Sequence, residues 1–214
     1  MIFDCDGLLV DTETAWTRAE RELYARRGVE FTMDHKRELL GSSAEAAGTI
    51  VERHLGLPPG GSRALVDELY ALVTREIARS APPMPGAPEL VAALRDAGTA
   101  IGLASNSPPD LVALSLRVSG LAGAFDVVVS AHEVGAGKPA PDVYLAACER
   151  LGAEPAGAVA LEDSHTGTLA ARAAGLYVIG VPSIEGVELP AAHLVAPALH
   201  HRAVHAAVGL RLAA

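Results

Sequence analysis

The chain has 214 residues, of which 50% are hydrophobic and 20% charged, and its formal net charge is −9. This composition is typical of a folded globular protein, and the negative charge argues against nucleic acid or an anionic membrane surface as a partner. No apolar run approaches the length of a membrane span, and no signal peptide is visible, so we expect a cytoplasmic protein. The two cysteines, Cys5 and Cys148, predict neither a disulfide framework nor a zinc site. Both a monomer and a small homo-oligomer are compatible with the sequence.

The basic residues are almost all arginines. Of the 17 lysines and arginines only two are lysines, Lys36 and Lys138. Lysine offers a compact point charge and arginine a planar fork, so a retained lysine favours, without requiring, a role for a point charge.

The first half of the chain predicts one short strand followed by helices. The strand covers residues 1–3, a length that favours a native strand extending ahead of Met1, and it ends at Asp4 and Asp6. Apolar residues then recur at helical spacing over 13–27, 34–40, 43–55 and 62–79. No convincing strand occurs between 13 and 81, and the proline-rich stretch 81–86 resembles a linker.

The second half alternates helices with strands. Helices are predicted at 87–97, 110–118, 141–151 and 166–174, and strands at 99–104, 126–130, 158–161 and 177–181, with 192–195 as a candidate edge strand. The strands are continuous apolar runs, as expected when helices cover both faces of a parallel sheet. We therefore predict a doubly wound, Rossmann-like α/β core formed by 1–12 and 83–214, with a helical domain inserted at 13–82.

Three histidines lie near the end of the chain. His201 and His205 are one helical turn apart, a spacing that can bind a metal, but no acidic residue lies beside them or His200. This pattern favours a surface helix or loop over a metal site, and it leaves the role of the histidines open.

Polar side chains follow four of the predicted strands at the point where each strand ends. Asp4 and Asp6 follow the first strand, and Ser105-Asn106-Ser107 follow the second. Lys138 lies in the loop after the third strand, and Glu162-Asp163 end the fourth. Because the carboxyl ends of parallel strands lie at one edge of a sheet, we expect these groups to converge.

The charges predict the chemistry of this edge. Two carboxylates about 4 Å apart repel by about 4 kcal/mol at an effective dielectric constant near 20. A hard divalent cation such as Mg²⁺ relieves that repulsion, while Ser105, Asn106 and Lys138 offer the groups that bind a phosphate. One free carboxylate could then accept a phosphoryl group, and the second Asp, two residues on, could act as the acid and base.

Four motifs resemble those of the haloacid dehalogenase (HAD) superfamily. They are DCDGLLVDTE (4–13), SNS (105–107), GKPAPDVY (137–144) and LEDSHTG (161–167), and they occur in the order typical of the superfamily. The helical insertion resembles its small α-helical cap, nearest to the β-phosphoglucomutase and sugar-phosphate phosphatase group. The resemblance implies a cap that opens for substrate and closes to exclude water.

The resemblance also implies the roles of individual residues. Asp4 is the implied nucleophile, Asp6 the acid and base, and Ser105 and Lys138 bind the phosphoryl group. The implied Mg²⁺ ligands are Asp4, the backbone carbonyl of Asp6 and Asp163, with Glu162 as an additional candidate.

Several activities of the superfamily are weighed against these residues. Dehalogenation is disfavoured because that branch lacks the second Asp, which is present here as Asp6. Phosphonate cleavage needs a cap lysine that forms a Schiff base, and nothing around Lys36, the sole candidate, suggests a depressed pKa. A β-phosphoglucomutase-like mutase is the principal alternative, but Leu40 and Ala44 stand where those mutases carry Lys and Arg. We therefore favour a Mg²⁺-dependent phosphatase acting on a small phosphomonoester. A catalytically silent binding protein on the same fold is a less favoured alternative than the mutase.

Substrate specificity is expected to come from the inserted helices. Trp16, His35, Ser42 and Ser43 are the candidates, although Trp16 fits the core of the inserted domain equally well. The absence of cationic residues at Leu40 and Ala44 favours a substrate with one phosphate and a neutral body, such as a sugar or polyol monophosphate.

Overall fold

The computed structural model describes residues 1–40, 42–184 and 186–210. The described residues include a six-stranded parallel sheet. The order of the strands across the sheet is β3-β2-β1-β4-β5-β6. The strands are β1 (Ile2–Phe3), β2 (Gly102–Ser105), β3 (Val127–Ser130), β4 (Val159–Glu162), β5 (Tyr177–Gly180) and β6 (Leu194–Val195).

The register of the central strands places their carboxyl ends at one edge. Phe3 of β1 lies opposite Leu103 of β2 on one side and Leu161 of β4 on the other. The strand order reverses direction between β1 and β4, and such a switch point is where doubly wound sheets bind ligands. The edge beyond Phe3 and Leu161 is therefore the expected place for a site.

Helices cover both faces of the sheet. Phe3 and Leu103 belong to one hydrophobic cluster, whereas Ile2 and Ala104 belong to another on the opposite face. The first cluster includes residues of α5, α6 and α9, and the second includes residues of α7 and α8. These helices are α5 (Ala87–Asp96), α6 (Pro109–Val118), α7 (Asp142–Leu151), α8 (His165–Ala173) and α9 (Arg202–Ala207). The predicted doubly wound, Rossmann-like α/β fold with inserted helices is confirmed.

Helices also occupy the chain between β1 and β2. They are α1 (Glu13–Ala25), α2 (Met33–Leu39), α3 (Ala44–His54) and α4 (Ser62–Arg79), and we call residues 13–79 the helical insert. The Thr32 and Ser43 hydroxyls accept hydrogen bonds from backbone amides at the starts of α2 and α3, which defines where these helices begin. In the insert α1 packs against α4, and the Trp16 and Tyr70 rings meet edge to face. The division of the chain into domains at 12/13 and 82/83 stays a prediction.

The predicted helices and strands are present, and their boundaries in the structure differ from the predicted boundaries by at most three residues. The largest shift is in β2, predicted at 99–104, where pairing with β1 begins only at Gly102. Ile101 is buried, and its backbone amide donates to the Asp126 side chain instead of extending the strand. The candidate edge strand at 192–195 is confirmed as the shorter β6.

The C-terminal histidines lie at the start of and within a short helix. His201 is the N-cap of α9, where its Nδ1 accepts a hydrogen bond from the Ala203 amide, and His205 lies within that helix. The His200 ring lies 3.4 Å from the Pro85 carbonyl oxygen. The sequence favoured a surface helix or loop here, and the structure has a short helix. Residues 211–214 and Gly41 lie outside the described residues.

Among the described residues, no helix has both the length and the apolar character needed to cross a bilayer.

Candidate active site

A buried lysine lies between two carboxylates at the switch point of the sheet. Asp4 follows β1 directly, and its backbone amide still donates to the Leu161 carbonyl of β4. The Lys138 Nζ atom lies 2.5 Å from Asp4 Oδ1 and 2.5 Å from Glu162 Oε1. All three side chains are more than 90% buried. The convergence predicted for these three residues is therefore present in the structure.

Protein donors hold the Glu162 carboxylate from several sides. Besides Lys138, the Tyr144 hydroxyl donates to Oε1 at 2.6 Å, and the Ser164 hydroxyl donates to Oε2 at 3.2 Å. A Cβ atom on Gly167 would lie 2.0 Å from this carboxylate, so only glycine lets α8 approach so closely. With its oxygens engaged in this way, Glu162 is better placed to orient Lys138 than to bind a ligand.

Asp163 completes a group of three acidic residues. Carboxylate oxygens of Asp4, Glu162 and Asp163 all lie within 4.8 Å of one another, a spacing that fits a shared cation. The Ser183 hydroxyl donates to Asp163 Oδ2 at 2.5 Å. Gly7 makes room for this carboxylate, because its φ is +82° and a Cβ atom there would lie 2.3 Å from Asp163 Oδ2.

The electrostatics of this group favour a bound cation. Burial raises the pKa of Asp4, and although Lys138 opposes this shift, the Glu162 and Asp6 charges add to it. Burial also raises the pKa of Asp163, and the Asp4 and Glu162 charges raise it further. Burial alone would lower the pKa of Lys138, but Asp4 and Glu162 outweigh it and keep the ammonium charged. The group of three carboxylates thus contains a single ammonium, which pairs with Asp4 and Glu162 but not with Asp163, and hard oxygen ligands of this kind suit Mg²⁺.

Two serines hold the second aspartate of the first motif. The hydroxyls of Ser105 and Ser107 donate to Asp6 Oδ2 at 3.0 and 2.8 Å. Asp6 Oδ1 is buried and has no hydrogen-bond partner in the described part of the chain, so this oxygen is available to a reacting group. Ser105 itself is fully buried, and its hydroxyl also accepts a hydrogen bond from the Ser107 amide.

The Asn106 side chain connects the loop after β2 with the loop that carries Lys138. Its Oδ1 accepts from the Lys138 amide at 2.8 Å, and its Nδ2 donates to the Lys138 carbonyl at 3.2 Å. A Cβ atom on Gly137 would lie 2.8 Å from the same Oδ1, so glycine permits this contact. Asn106 therefore positions Lys138, a role that its place after a strand did not reveal.

A cavity lies between this edge of the sheet and the helical insert. Its volume is about 90 Å³, which is enough room for several water molecules. The core contributes Asp4, Asp6, Asn106, Ser107, Lys138, Asp163 and Ser164 to its lining, and the insert contributes chiefly Glu13, Trp16, Glu20, Lys36, Leu40, Ser42, Ala44 and Tyr70. A substrate held here would contact both parts of the chain.

The cavity lining includes only some of the predicted specificity residues. Trp16 and Ser42 line it, whereas Ser43 caps α3 and His35 is part of the cap of α2. Ser105 lies behind the lining residues, and its neighbour Ser107 faces the cavity instead.

Other residues of the site were missed by sequence reasoning. Ser107 was named with Ser105 and Asn106 at the end of the second strand but was given no role, and its shared contact with Asp6 is visible only in the structure. Tyr144 belongs to the motif at 137–144, but only the fold shows that its hydroxyl reaches Glu162, and Ser183, which contacts Asp163, carries no local signal. From the sequence Lys36 was a candidate point charge and a disfavoured Schiff-base lysine, and the structure places it in the cavity lining.

The fold and these motifs define a class of hydrolase. Residues 1–175 match the family of haloacid dehalogenase-like hydrolases, so the chain belongs to that family. It is 35% identical to Hexitol phosphatase B of Escherichia coli over 192 residues, which cover 88% of this chain and 86% of that protein. The recognition of a HAD-superfamily enzyme with phosphatase relatives is thereby confirmed.

Solved structures resemble the whole of this fold. The structure of CbbY from Rhodobacter sphaeroides in complex with phosphate has a TM-score of 0.80 at 27% identity, covering 95% of this chain and 96% of that one. The β-phosphoglucomutase of Clostridium difficile has a TM-score of 0.77 at 23% identity, covering 92% of this chain and 89% of that one, a likeness of fold alone.

Proposed function

We propose that the protein is a Mg²⁺-dependent phosphatase that hydrolyses a small phosphomonoester through an aspartyl-phosphate intermediate. The observation that carries this proposal is the buried Asp4, which lies within 2.5 Å of Lys138 and shares a cation-sized space with Asp163. The same residues are those that the four motifs imply.

Asp4, Asp163 and the backbone carbonyl of Asp6 are the proposed metal ligands. A bound Mg²⁺ would neutralise the excess of carboxylates and polarise the phosphoryl oxygens of the substrate. Glu162, the additional candidate, is the least suited to this role, because Lys138 and Tyr144 already occupy its Oε1.

The phosphoryl group is transferred to and from the Asp4 carboxylate. In the first step an Asp4 oxygen attacks phosphorus, and the leaving oxygen takes a proton from Asp6. In the second step Asp6 takes a proton from water, which attacks the aspartyl phosphate and releases inorganic phosphate. Lys138 and Ser105 are the proposed ligands of the phosphoryl oxygens, and the Ser105 and Ser107 hydroxyls, which both donate to Asp6, orient its carboxylate.

The helical insert, residues 13–79, forms most of the proposed cap domain, for which the sequence predicts the boundaries 13–82. It supplies the part of the cavity lining that does not belong to the core. Its opening would admit substrate, and its closure would exclude water. We propose a sugar or polyol monophosphate as substrate, supported by the name of the Escherichia coli relative and by the apolar Leu40 and Ala44 in the lining. The cytoplasmic location expected above is part of the same proposal.

Turnover of p-nitrophenyl phosphate tests the reaction class. We expect hydrolysis in the presence of MgCl₂, its loss on addition of EDTA, and its recovery when excess MgCl₂ is restored. Hydrolysis that survives complete removal of divalent cations would contradict the metal-dependent mechanism. No hydrolysis of any phosphomonoester under these conditions would favour the catalytically silent binding protein.

The mutase alternative predicts a different dependence on cofactor. A mutase would interconvert glucose 1-phosphate and glucose 6-phosphate and would need a bisphosphate for sustained turnover. We expect release of inorganic phosphate without isomerisation, because the two positions that carry cations in those mutases are Leu40 and Ala44 here.

A further inference from the structure

The second lysine of the chain also lies between two carboxylates, at the opposite wall of the cavity. Lys36 of α2 is 3% exposed, and its Nζ lies 2.7 Å from Glu13 Oε2 and 3.0 Å from Glu20 Oε2. Both glutamates belong to α1, and all three residues line the cavity. We call Lys36, Glu13 and Glu20 the Lys36 triad.

The charge of the Lys36 triad is unsuited to a second phosphate. One ammonium faces two carboxylates, so the triad offers no uncompensated positive charge to an anion. The Glu13 and Glu20 charges also keep Lys36 protonated, since they raise its pKa against the effect of burial. A protonated, ion-paired amine is no nucleophile, which removes the Schiff-base role from Lys36.

The triad is well suited to hydroxyl groups. An ammonium carries three donor hydrogens and no acceptor, while an ionised carboxylate only accepts. Glu13 Oε2 is shielded from solvent, and among the described residues its one polar neighbour of note is the Lys36 ammonium, with which it forms an ion pair but no hydrogen bond of good geometry. A hydroxyl placed beside this pair would donate to Glu13 and accept from Lys36, which satisfies the buried oxygen.

Apart from Ser42, the other residues that the helical insert contributes to the cavity lining are aliphatic or aromatic. The Trp16 and Tyr70 rings meet edge to face with their centroids 5.8 Å apart, and Leu40 and Ala44 line the same cavity. Rings and aliphatic side chains of this kind pack against the C–H surface of a carbon chain or sugar ring. A polar triad beside an apolar wall thus matches a polyhydroxylated body that has both kinds of surface.

We propose that the Lys36 triad is the specificity element of this enzyme. It binds the hydroxyl groups of a neutral polyol or sugar body and disfavours substrates with a second anionic group near that end. This inference rests on the proposed function, because it assigns the half of the cavity that lies opposite the phosphoryl-transfer residues.

A pair of substrates that differ in one charge tests the proposal. Sorbitol 6-phosphate and 6-phosphogluconate have the same six-carbon chain, but the first ends in CH₂OH and the second in a carboxylate. We expect the wild-type enzyme to have a kcat/KM for sorbitol 6-phosphate higher than that for 6-phosphogluconate by about tenfold or more. At about pH 8 Glu20 is ionised, since its pKa is about 7. The variant Glu20→Gln removes this negative charge, and we expect it to lower the ratio by about fivefold or more.

The chain supplies a matched control for this substitution. Glu76 of α4 is likewise a buried glutamate of the insert, 4% exposed and paired with Arg75 and Arg79, and it does not line the cavity. Glu76→Gln should leave the substrate ratio within about twofold of the wild-type value. A second triad variant, Glu13→Gln, should change the ratio in the same direction as Glu20→Gln and keeps the test valid if the latter does not fold.

The outcomes separate this inference from the proposed function. A wild-type enzyme that hydrolyses p-nitrophenyl phosphate but prefers 6-phosphogluconate, or accepts neither six-carbon substrate, overturns the role of the triad and leaves the phosphatase intact. An unchanged ratio in both folded triad variants also overturns it. Absence of hydrolysis with every substrate contradicts the proposed function instead.

Discussion

The two lysines of this chain occupy similar surroundings on opposite sides of one cavity. Each is buried, and each lies between two carboxylates, Lys138 between Asp4 and Glu162 and Lys36 between Glu13 and Glu20. In the part of the chain that the structure describes, no arginine is buried to the same degree. The scarcity of lysine therefore marked both places where a compact buried charge is used.

The two lysines differ in what holds them. The Asn106 side chain accepts a hydrogen bond from the Lys138 backbone amide and donates one to the Lys138 carbonyl. The Tyr144 hydroxyl donates to Glu162, the ion-pair partner of Lys138. Lys36 lies on one helix of the insert, and another helix supplies both of its carboxylates. Phosphoryl transfer needs a geometry fixed within a fraction of an ångström, whereas recognition of hydroxyl groups tolerates adjustment. On the proposed function, the same charge pattern would serve chemistry at the sheet and recognition in the helical insert.

Asp4→Asn should have the largest effect. The variant keeps the shape of the side chain but removes the charged oxygen that attacks phosphorus, so kcat should fall by at least about 10⁴-fold. Steady-state hydrolysis of p-nitrophenyl phosphate with MgCl₂ measures this loss, and circular dichroism checks the fold. A rate near that of the wild type would mean that water attacks the substrate directly.

Replacing each lysine by methionine compares the two ends of the cavity. Lys138→Met should lower kcat by about 100-fold or more for both p-nitrophenyl phosphate and sorbitol 6-phosphate, because it removes a charge next to the transferred group. Lys36→Met should act mainly on KM and more strongly on sorbitol 6-phosphate, because it removes a group that contacts only the hydroxylated body. Initial-rate kinetics with both substrates measure the two patterns.

Loss of Lys36 leaves two buried carboxylates without their cation, which can unfold the insert. The double variant Lys36→Met with Glu20→Gln relieves that repulsion and should show the same selective effect on KM. Equal losses of kcat with both substrates in this folded double variant would assign Lys36 to catalysis and contradict the comparison.

The pH dependence of stability should show the smallest effect. Burial raises the pKa of Glu20 from 4.5 to about 7, with Glu13 adding to the shift and Lys36 opposing it. Between these two pH values Glu20 is ionised in the unfolded chain but protonated in the folded protein. The free energy of unfolding therefore falls as pH rises. The loss from this residue is roughly 3 kcal/mol at most, and it is complete above about pH 7.

Urea unfolding at several pH values between about 5 and 8 measures this loss. Other buried carboxyl groups, among them Asp4 and Asp163, give slopes of the same sign, so the informative quantity is the difference between wild type and Glu20→Gln. The free energy of unfolding of Glu20→Gln should fall less steeply with pH than that of the wild type. Glu76→Gln provides the comparison at a second buried glutamate. An equal slope in wild type and Glu20→Gln would show that Glu20 ionises in the folded protein as it does in the unfolded chain.

The secondary structure was largely predictable because its signals are local. The helix over Ser62–Arg79 agrees with the predicted bounds, since glycines precede it and apolar residues recur along one face. The start of β2 was not predictable, because it depends on where β1 begins and on the distant Asp126. Likewise, Ser43 was placed among the specificity residues, yet the structure shows its hydroxyl capping α3.

The sequence by itself determined the parallel α/β class, the helical insert and the list of charged groups that end the central strands. Each of these follows from neighbours along the chain, from hydrophobic periodicity or from the rule that parallel strands share an edge. Only the tertiary structure decided that Glu162 holds Lys138, that Ser107 accompanies Ser105 at Asp6, and that Lys36 lies across the cavity with its two glutamates. These contacts join residues from separate elements, and a hydrogen bond between such residues depends on packing distances that no local pattern encodes.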